Sequence, residues 1–248
     1  GLINFKLKGP KPDDRFELIT RNTVGSNNLY TNFTSISSSN DNLGYYGYVN
    51  YKIGDGFRPN SDFESINTFQ SLNLKLTDRS KLTSEITYLE YLAHQAGGLS
   101  DRMFEIAPYQ SNRERNWFEV KWFLYNLKYL YEISPNSNFS FSFFGLDATR
   151  NALGFRTNRV DQIDFGDERD LIKGRFRNFG FETRYINNYT VLNKKSYLLL
   201  GAKYYNSFSE STQGPGSASK DANFDFDYLN FPNLSLIHIS EPTRQSLI

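Results

Sequence analysis

An alternation of period two recurs along most of this chain, and it is the feature that most limits the folds available to it. Residues 138–143 read Asn-Phe-Ser-Phe-Ser-Phe and residues 71–76 read Ser-Leu-Asn-Leu-Lys-Leu. Successive side chains of a strand point to opposite faces, so each segment has one apolar and one polar face. In residues 43–52, Leu43, Tyr45, Val49 and Tyr51 share one side, opposite Tyr46, Tyr48, Asn50 and Lys52. The pattern predicts nine strands, at 15–24, 28–38, 43–54, 66–77, 81–93, 116–133, 138–150, 175–193 and 195–208. Many match or exceed the roughly 9–11 residues of a tilted membrane strand, where soluble strands have a mode near 5–6.

The predicted connections sort by parity. Those after strands two, four, six and eight are short: 39–42, 78–80, 134–137 and a corner at Lys194. Those after strands three, five, seven and nine are long: 54–64, 94–115, 151–174 and 210 onward, with only the first odd connection, near Gly25, short. Short turns at one end and long loops at the other are the habit of outer-membrane barrels, whose long loops face outside the cell.

Composition fits this reading. The chain has 17 tyrosines and 22 phenylalanines, yet only 38% hydrophobic residues. A barrel explains both, because alternate residues face a polar lumen while aromatics gather at the two membrane interfaces. A soluble, Tyr-rich sandwich is the alternative on composition alone. There is no run of roughly 18 apolar residues to make a membrane helix. With no cysteine there is no disulfide framework and no thiolate chemistry, and a net charge of +1 gives no footprint for nucleic acid. The chain opens at Gly1 with no initiator Met and no signal segment, so the native start is expected upstream.

Residues 1–8, Gly-Leu-Ile-Asn-Phe-Lys-Leu-Lys, form a short alternating strand that a Gly-Pro-Lys-Pro break at 9–12 ends. This opening resembles the last plug strand of TonB-dependent receptors. The resemblance is extended by Gly-Asp-Gly-Phe-Arg-Pro-Asn-Ser at 54–61, Leu-Ala-His-Gln-Ala-Gly-Gly-Leu-Ser-Asp at 92–101 and Gln-Ser-Asn-Arg-Glu-Arg-Asn-Trp-Phe at 110–118, which look like the ferric-citrate-type receptors of Bacteroidota. It covers residues 1–233 and implies an all-β fold, a partial antiparallel transmembrane β-barrel of about nine strands out of about 22. By the same resemblance, residues 1–8 are the C-terminal end of a plug domain and 9–233 the N-terminal part of the barrel. Residues 234–244, Leu-Ser-Leu-Ile-His-Ile-Ser-Glu-Pro-Thr-Arg, look like a translated sequencing adapter, so 234–248 is expected to be a non-native tail.

The resemblance further implies a non-enzymatic transporter of the Gram-negative outer membrane. It would take up a small ferric chelate, ferric citrate or another siderophore, energised by the TonB–ExbB–ExbD complex through a region upstream of this chain. Iron would be cargo and not a cofactor, and the partners would be that complex, the chelate and outer-membrane lipid, with no nucleic acid. A passive porin-like barrel and a soluble carbohydrate-binding β-sandwich are the rival readings.

The predicted loops carry Arg58, Arg102, Arg113, Arg115, Arg156 and Arg159, with Gln95 and Asn112 as neutral donors. Guanidinium forks match carboxylates bidentately, so Arg58, Gln95, Arg102, Arg113, Arg115 and Arg156 are the candidate ligand-binding residues for an anionic chelate. Arg113 and Arg115, two apart at a strand entry, share one face and are the favoured pair. The competing reading pairs loop arginines with Asp101, Glu114, Asp161 and Asp164, or with lipopolysaccharide phosphates. The histidines are His94 and His238. His94 cannot build a three- or four-ligand metal site alone, and no nucleophile-elbow pattern supports catalysis with Asp101. No metal site and no catalytic residue is expected.

Overall fold

The computed structural model describes residues 7–10, 16–157 and 159–227. Nine strands form a single antiparallel sheet in sequence order. They are β1 (Glu17–Val24), β2 (Tyr30–Ser39), β3 (Leu43–Gly54), β4 (Phe63–Thr77), β5 (Ser80–His94), β6 (Trp117–Ser134), β7 (Ser137–Gly154), β8 (Arg169–Val191) and β9 (Lys194–Gly216). A sandwich needs a second layer, and all nine strands lie in one sheet, so the sandwich alternative fails. The sheet is not closed: β1 and β9 are its edges. The plug-end residues 1–6 and the adapter-like tail lie outside the described residues.

All nine predicted strands are present, but four of them run further than the pattern suggested. β4 begins at Phe63, β7 continues to Gly154, β8 begins at Arg169 and β9 reaches Gly216. The reason is visible on the outer face. Register pairing places Leu43, Tyr45, Leu72, Leu74, Leu82 and Ile86 there, followed by Phe123 to Ile133, Phe139 to Gly145 and Phe179 to Val191 taken at every second residue. That belt carries no charge. On β6 it covers 11 residues, about 25 Å of height at a barrel's tilt. Above it the same face carries Glu90, Lys121, Asp147, Arg175 and Arg177, and the ladder continues unbroken into this polar crest. Apolar alternation stops where the hydrocarbon would, whereas backbone pairing does not.

The opposite face holds most of the residues the sheet buries without a covering layer: Ser35, Ser37, Tyr46, Phe69, Ser71, Val120 and Ala148. Side chains crowd one another in this way on the inside of a curved sheet, so this is the inner wall. Small serines alternate there with Phe33, Tyr46, Tyr48 and Phe69, whose rings contact across β2 to β4. Residues 7–10 also lie on this side: Lys8 sits 5.1 Å from the Tyr46 ring centroid and 3.4 Å from Glu17, and Pro10 packs over Gly44.

The turn between β8 and β9 is Leu192–Asn193 and not Lys194. Both turn residues have positive φ (49° and 60°), as a two-residue hairpin requires, and the Leu side chain is out in solvent. Gly145 lies opposite Tyr125, whose ring occupies the space a side chain at 145 would need, so the aromatic covers a backbone that glycine leaves bare on the outer face.

In a closed barrel carrying this arc, Phe141→Arg puts a charge at mid-belt and is expected to cost about 2–4 kcal/mol, read by urea unfolding in lipid vesicles. Ser142→Arg, one residue on and facing inward, is expected to cost less than half of that. Equal costs would show that the two faces have been exchanged.

Candidate functional site

The connections at the crest contain backbone carbonyls that no strand can pair, and buried carbonyls need donors. Arginines supply them. Arg58 donates from Nε to Gln110 O (2.9 Å), from Nη1 to Gly97 O (2.9 Å) and from Nη2 to Gln110 O and Ala96 O. Arg113, 5% exposed, donates to the carbonyls of Asn112, Gln162, Arg159 and Val160, and its guanidinium lies 5.3 Å from the Phe155 ring centroid. Arg115, also 5% exposed, forks onto both carboxylate oxygens of Asp164 and reaches Asp167 O and Ala218 O. Arg169, fully buried, joins Arg115 O to Ser217 O and Asp221 O.

Of the six predicted ligand residues, Arg58, Arg113 and Arg115 therefore have their donors engaged within the protein. Arg113 and Arg115 precede β6 outside any strand, Arg115 in a turn, so no strand face is shared by the favoured pair, and each is turned into the neighbouring loops. Arg102 is exposed on α1 (Asp101–Ile106), a one-and-a-half-turn helix capped by Ser100 that the period-two reading missed. Arg159 pairs with Asp161 in solvent.

Gln95 and Arg156 come together. With Arg150, Asn116, Phe118 and Phe176 they line a cavity of about 400 Å³ high on the inner wall, floored by Gly174 and Ile172. Asn116 builds its rim by mimicking a strand: its Oδ1 accepts from Phe155 N (2.8 Å) and its Nδ2 donates to Phe155 O (3.3 Å). Gly154 is needed beside it, since a Cβ there would overlap the Asn116 side chain. Arg150 lies 5.3 Å from the Phe118 ring centroid. Two guanidinium forks, an amide and two aromatic faces suit an anion with some apolar surface. Sequence reasoning passed over Arg150 because it fell inside a predicted strand and not a loop. Parity would have found it, because Phe139, Phe141 and Phe143 of the outer face are odd-numbered and 150 is even.

His94 stacks on Trp117, ring centroids 3.3 Å apart, and its Nδ1 meets Asp62 Oδ1 at 2.5 Å, so its acidic partner is Asp62 and not Asp101. Among the described residues no group of three or more His, Cys, Asp or Glu could hold a metal.

Burial pushes the Asp164 carboxyl up, but the Arg115 fork, the Gly166 amide and the nearby charge of Arg113 outweigh it and hold the group below its ordinary value. A carboxylate depressed in the folded state stabilises the crest fully above the unfolded value of about 4, and that stability is lost as pH falls through the lower folded value. Trp117, whose indole donates to Lys220 O at 2.8 Å, reports on this packing. With Trp122 replaced by Phe, Trp117 emission is expected to shift to the red only below about pH 4, and to be already shifted at pH 7 in Arg115→Met. A flat profile in both would remove Asp164 from the argument.

No family model and no curated relative matches the chain. Solved structures do. The ferric citrate transporter FecA in its unliganded form aligns with a TM-score of 0.68 at 16% identity, over 82% of this chain and 30% of that one. The ferripyoverdine receptor of the outer membrane of Pseudomonas aeruginosa, bound to ferripyoverdine, aligns at 0.70 and 12%, over 82% and 29%. BauA, the ferric preacinetobactin receptor from Acinetobacter baumannii, aligns at 0.66 and 10%, over 83% and 32%. The chain thus spans about 30% of the length of these receptors, and its fold is that of an unclosed nine-strand portion of their β-barrel.

Proposed function

We propose that this chain is the wall, over nine strands, of an outer-membrane receptor that takes up an anionic iron(III) chelate, ferric citrate or another siderophore. The observation that carries the reading is the inner-wall cavity, lined by Arg150, Arg156 and Gln95, on a sheet whose outer face carries a charge-free belt below it. Arg150, Arg156 and Gln95 stand exposed around this cavity, where planar guanidinium forks can meet carboxylates or other anionic oxygens bidentately. Nothing in such a role breaks or makes a bond in the cargo, so no catalytic residue is required. The printed descriptions of the similar structures, a ferric citrate transporter and siderophore receptors, support the iron-chelate class.

Two features favour an energised, plugged receptor over a passive porin. A water-filled channel has a polar wall, yet the inner face here bears Trp122 and Leu124, 44% and 37% exposed, alongside Leu89. That strip calls for a covering domain. Residues 7–10 approach β1 from the inner side, where the end of such a domain would lie. On this proposal residues 1–8 close the plug, iron is cargo, and the TonB–ExbB–ExbD complex acts on a region upstream.

In the complete receptor, Arg150→Ala and Arg156→Ala are each expected to weaken ferric citrate binding about tenfold or more by titration calorimetry, with Arg102→Ala near neutral. Uptake of labelled iron should stop when the proton-motive force is collapsed. Unchanged affinity in both variants would refute the site, and uptake that survives collapse would leave the porin reading in its place.

A further inference from the structure

We propose that the crest segments 55–62, 95–116, 155–168 (of which 155–157 and 159–168 are described) and 217–227 are one cooperatively folded cap, assembled before any ligand arrives, in which Arg58, Arg113, Arg115 and Arg169 are the joints. The inference concerns how the site is framed and holds whatever the cargo.

These segments contain little that could order them separately. α1 buries none of its residues, and Phe57, Phe104, Ile106, Tyr109 and Phe165 are all at least 60% exposed. Hydrophobic burial within each loop is too small to offset the entropy of ordering it. What the segments share is a continuous chain of donors. Arg58 ties 55–62 to 95–116, helped by Asn60 Nδ2 donating to Ser111 Oγ at 3.0 Å. Arg113 ties 95–116 to 155–168 through Gln162 O at 3.0 Å. Arg115 adds Asp167 O and Ala218 O, both at 2.8 Å, and Arg169 returns from Ser217 O and Asp221 O to Arg115 O.

Arginine suits this work because five donors on one rigid plane can serve several carbonyls at once, and permanent charge strengthens each bond. The same geometry couples the loops. Opening any one of them strands a buried guanidinium, or the half-buried one of Arg58, together with the carbonyls it serves in the next, so partial opening is penalised and the segments open together. Gln95 and Arg156 sit beside this network: Ala96, next to Gln95, accepts from Arg58, and Phe155, next to Arg156, lies under Arg113. The cap therefore fixes the cavity rim in advance, and in this sector no loop closes over a ligand by itself.

Hydrogen–deuterium exchange on the complete receptor tests this. Without ligand, amides in 55–62, 95–116 and 155–168 should exchange slowly and at a common rate. Arg115→Lys keeps the charge and loses the fork. It is expected to speed exchange about tenfold or more in 95–116 and 155–168, and also in 55–62, which Arg115 does not touch; Arg102→Lys should change nothing. Faster exchange confined to the segments Arg115 contacts overturns the proposal, as do unprotected wild-type loops. If Arg115→Lys fails to give a heat-modifiable barrel on gels, Arg58→Lys carries the test from the other end, with 155–168 as the segment that must loosen. Saturating ferric citrate, held at a rim the closed cap supplies, should slow exchange in all three segments by a common factor, and a rise confined to one segment would overturn the single cooperative unit. Binding is scored separately by titration, so a receptor that ignores ferric citrate refutes the cargo while the ligand-free comparison still decides the cap.

Discussion

Everything in this fold follows from where a backbone amide can find a partner. In hydrocarbon there is no water, and each unpaired N–H or C=O costs several kcal/mol, so a spanning segment must satisfy its backbone within the structure. The nine strands meet that demand with one ladder that runs through the charge-free belt and on into the crest. Two bulges interrupt the registers, between Lys75 and Thr77 and between Glu132 and Ser134, both beside short turns. Past the ends of the strands the ladder runs out, and the need it met passes to side chains. Asn116 extends the β6–β7 pairing to Phe155 with its amide, and four guanidiniums take the loop carbonyls beyond it. Ladder, amide and guanidinium are three answers to one requirement at increasing distance from the charge-free belt.

The strands were readable because a sheet with one apolar face writes itself into the sequence with period two. Phe139, Phe141 and Phe143 could lie only on one face, and Leu72, Leu74 and Leu76 obey the same rule. Where the environment becomes aqueous on both sides, as around Lys173 and Arg175, the pattern fades although the pairing persists, and the upper part of β8 was read as loop. α1 escaped for a different reason: six residues are too few for a helical period to show, and only the cap at Ser100 marked it.

The candidate site was legible in kind and misplaced in part. Arginines near the loops were the right residues to watch, and Gln95 and Arg156 do face the inner cavity. Sequence cannot say whether a loop arginine meets a ligand or a neighbouring carbonyl, because the carbonyl belongs to a segment dozens of residues away. Arg58 meets Gln110 and Arg115 meets Ala218 across such separations. Charge class was visible in advance, and occupancy of the donors was not. Arg150 shows the reverse case, a residue whose orientation was fixed by parity but whose neighbourhood depended on Phe118 lying across the ladder.

The position of residues 7–10 also bears on how such a sheet comes together. They lie against Tyr46 and Gly44, on the inner wall near the short-turn end. Because these four residues run along the concave side of the first strands, any further curling of the sheet in the same sense would carry them toward its interior and away from its outer face.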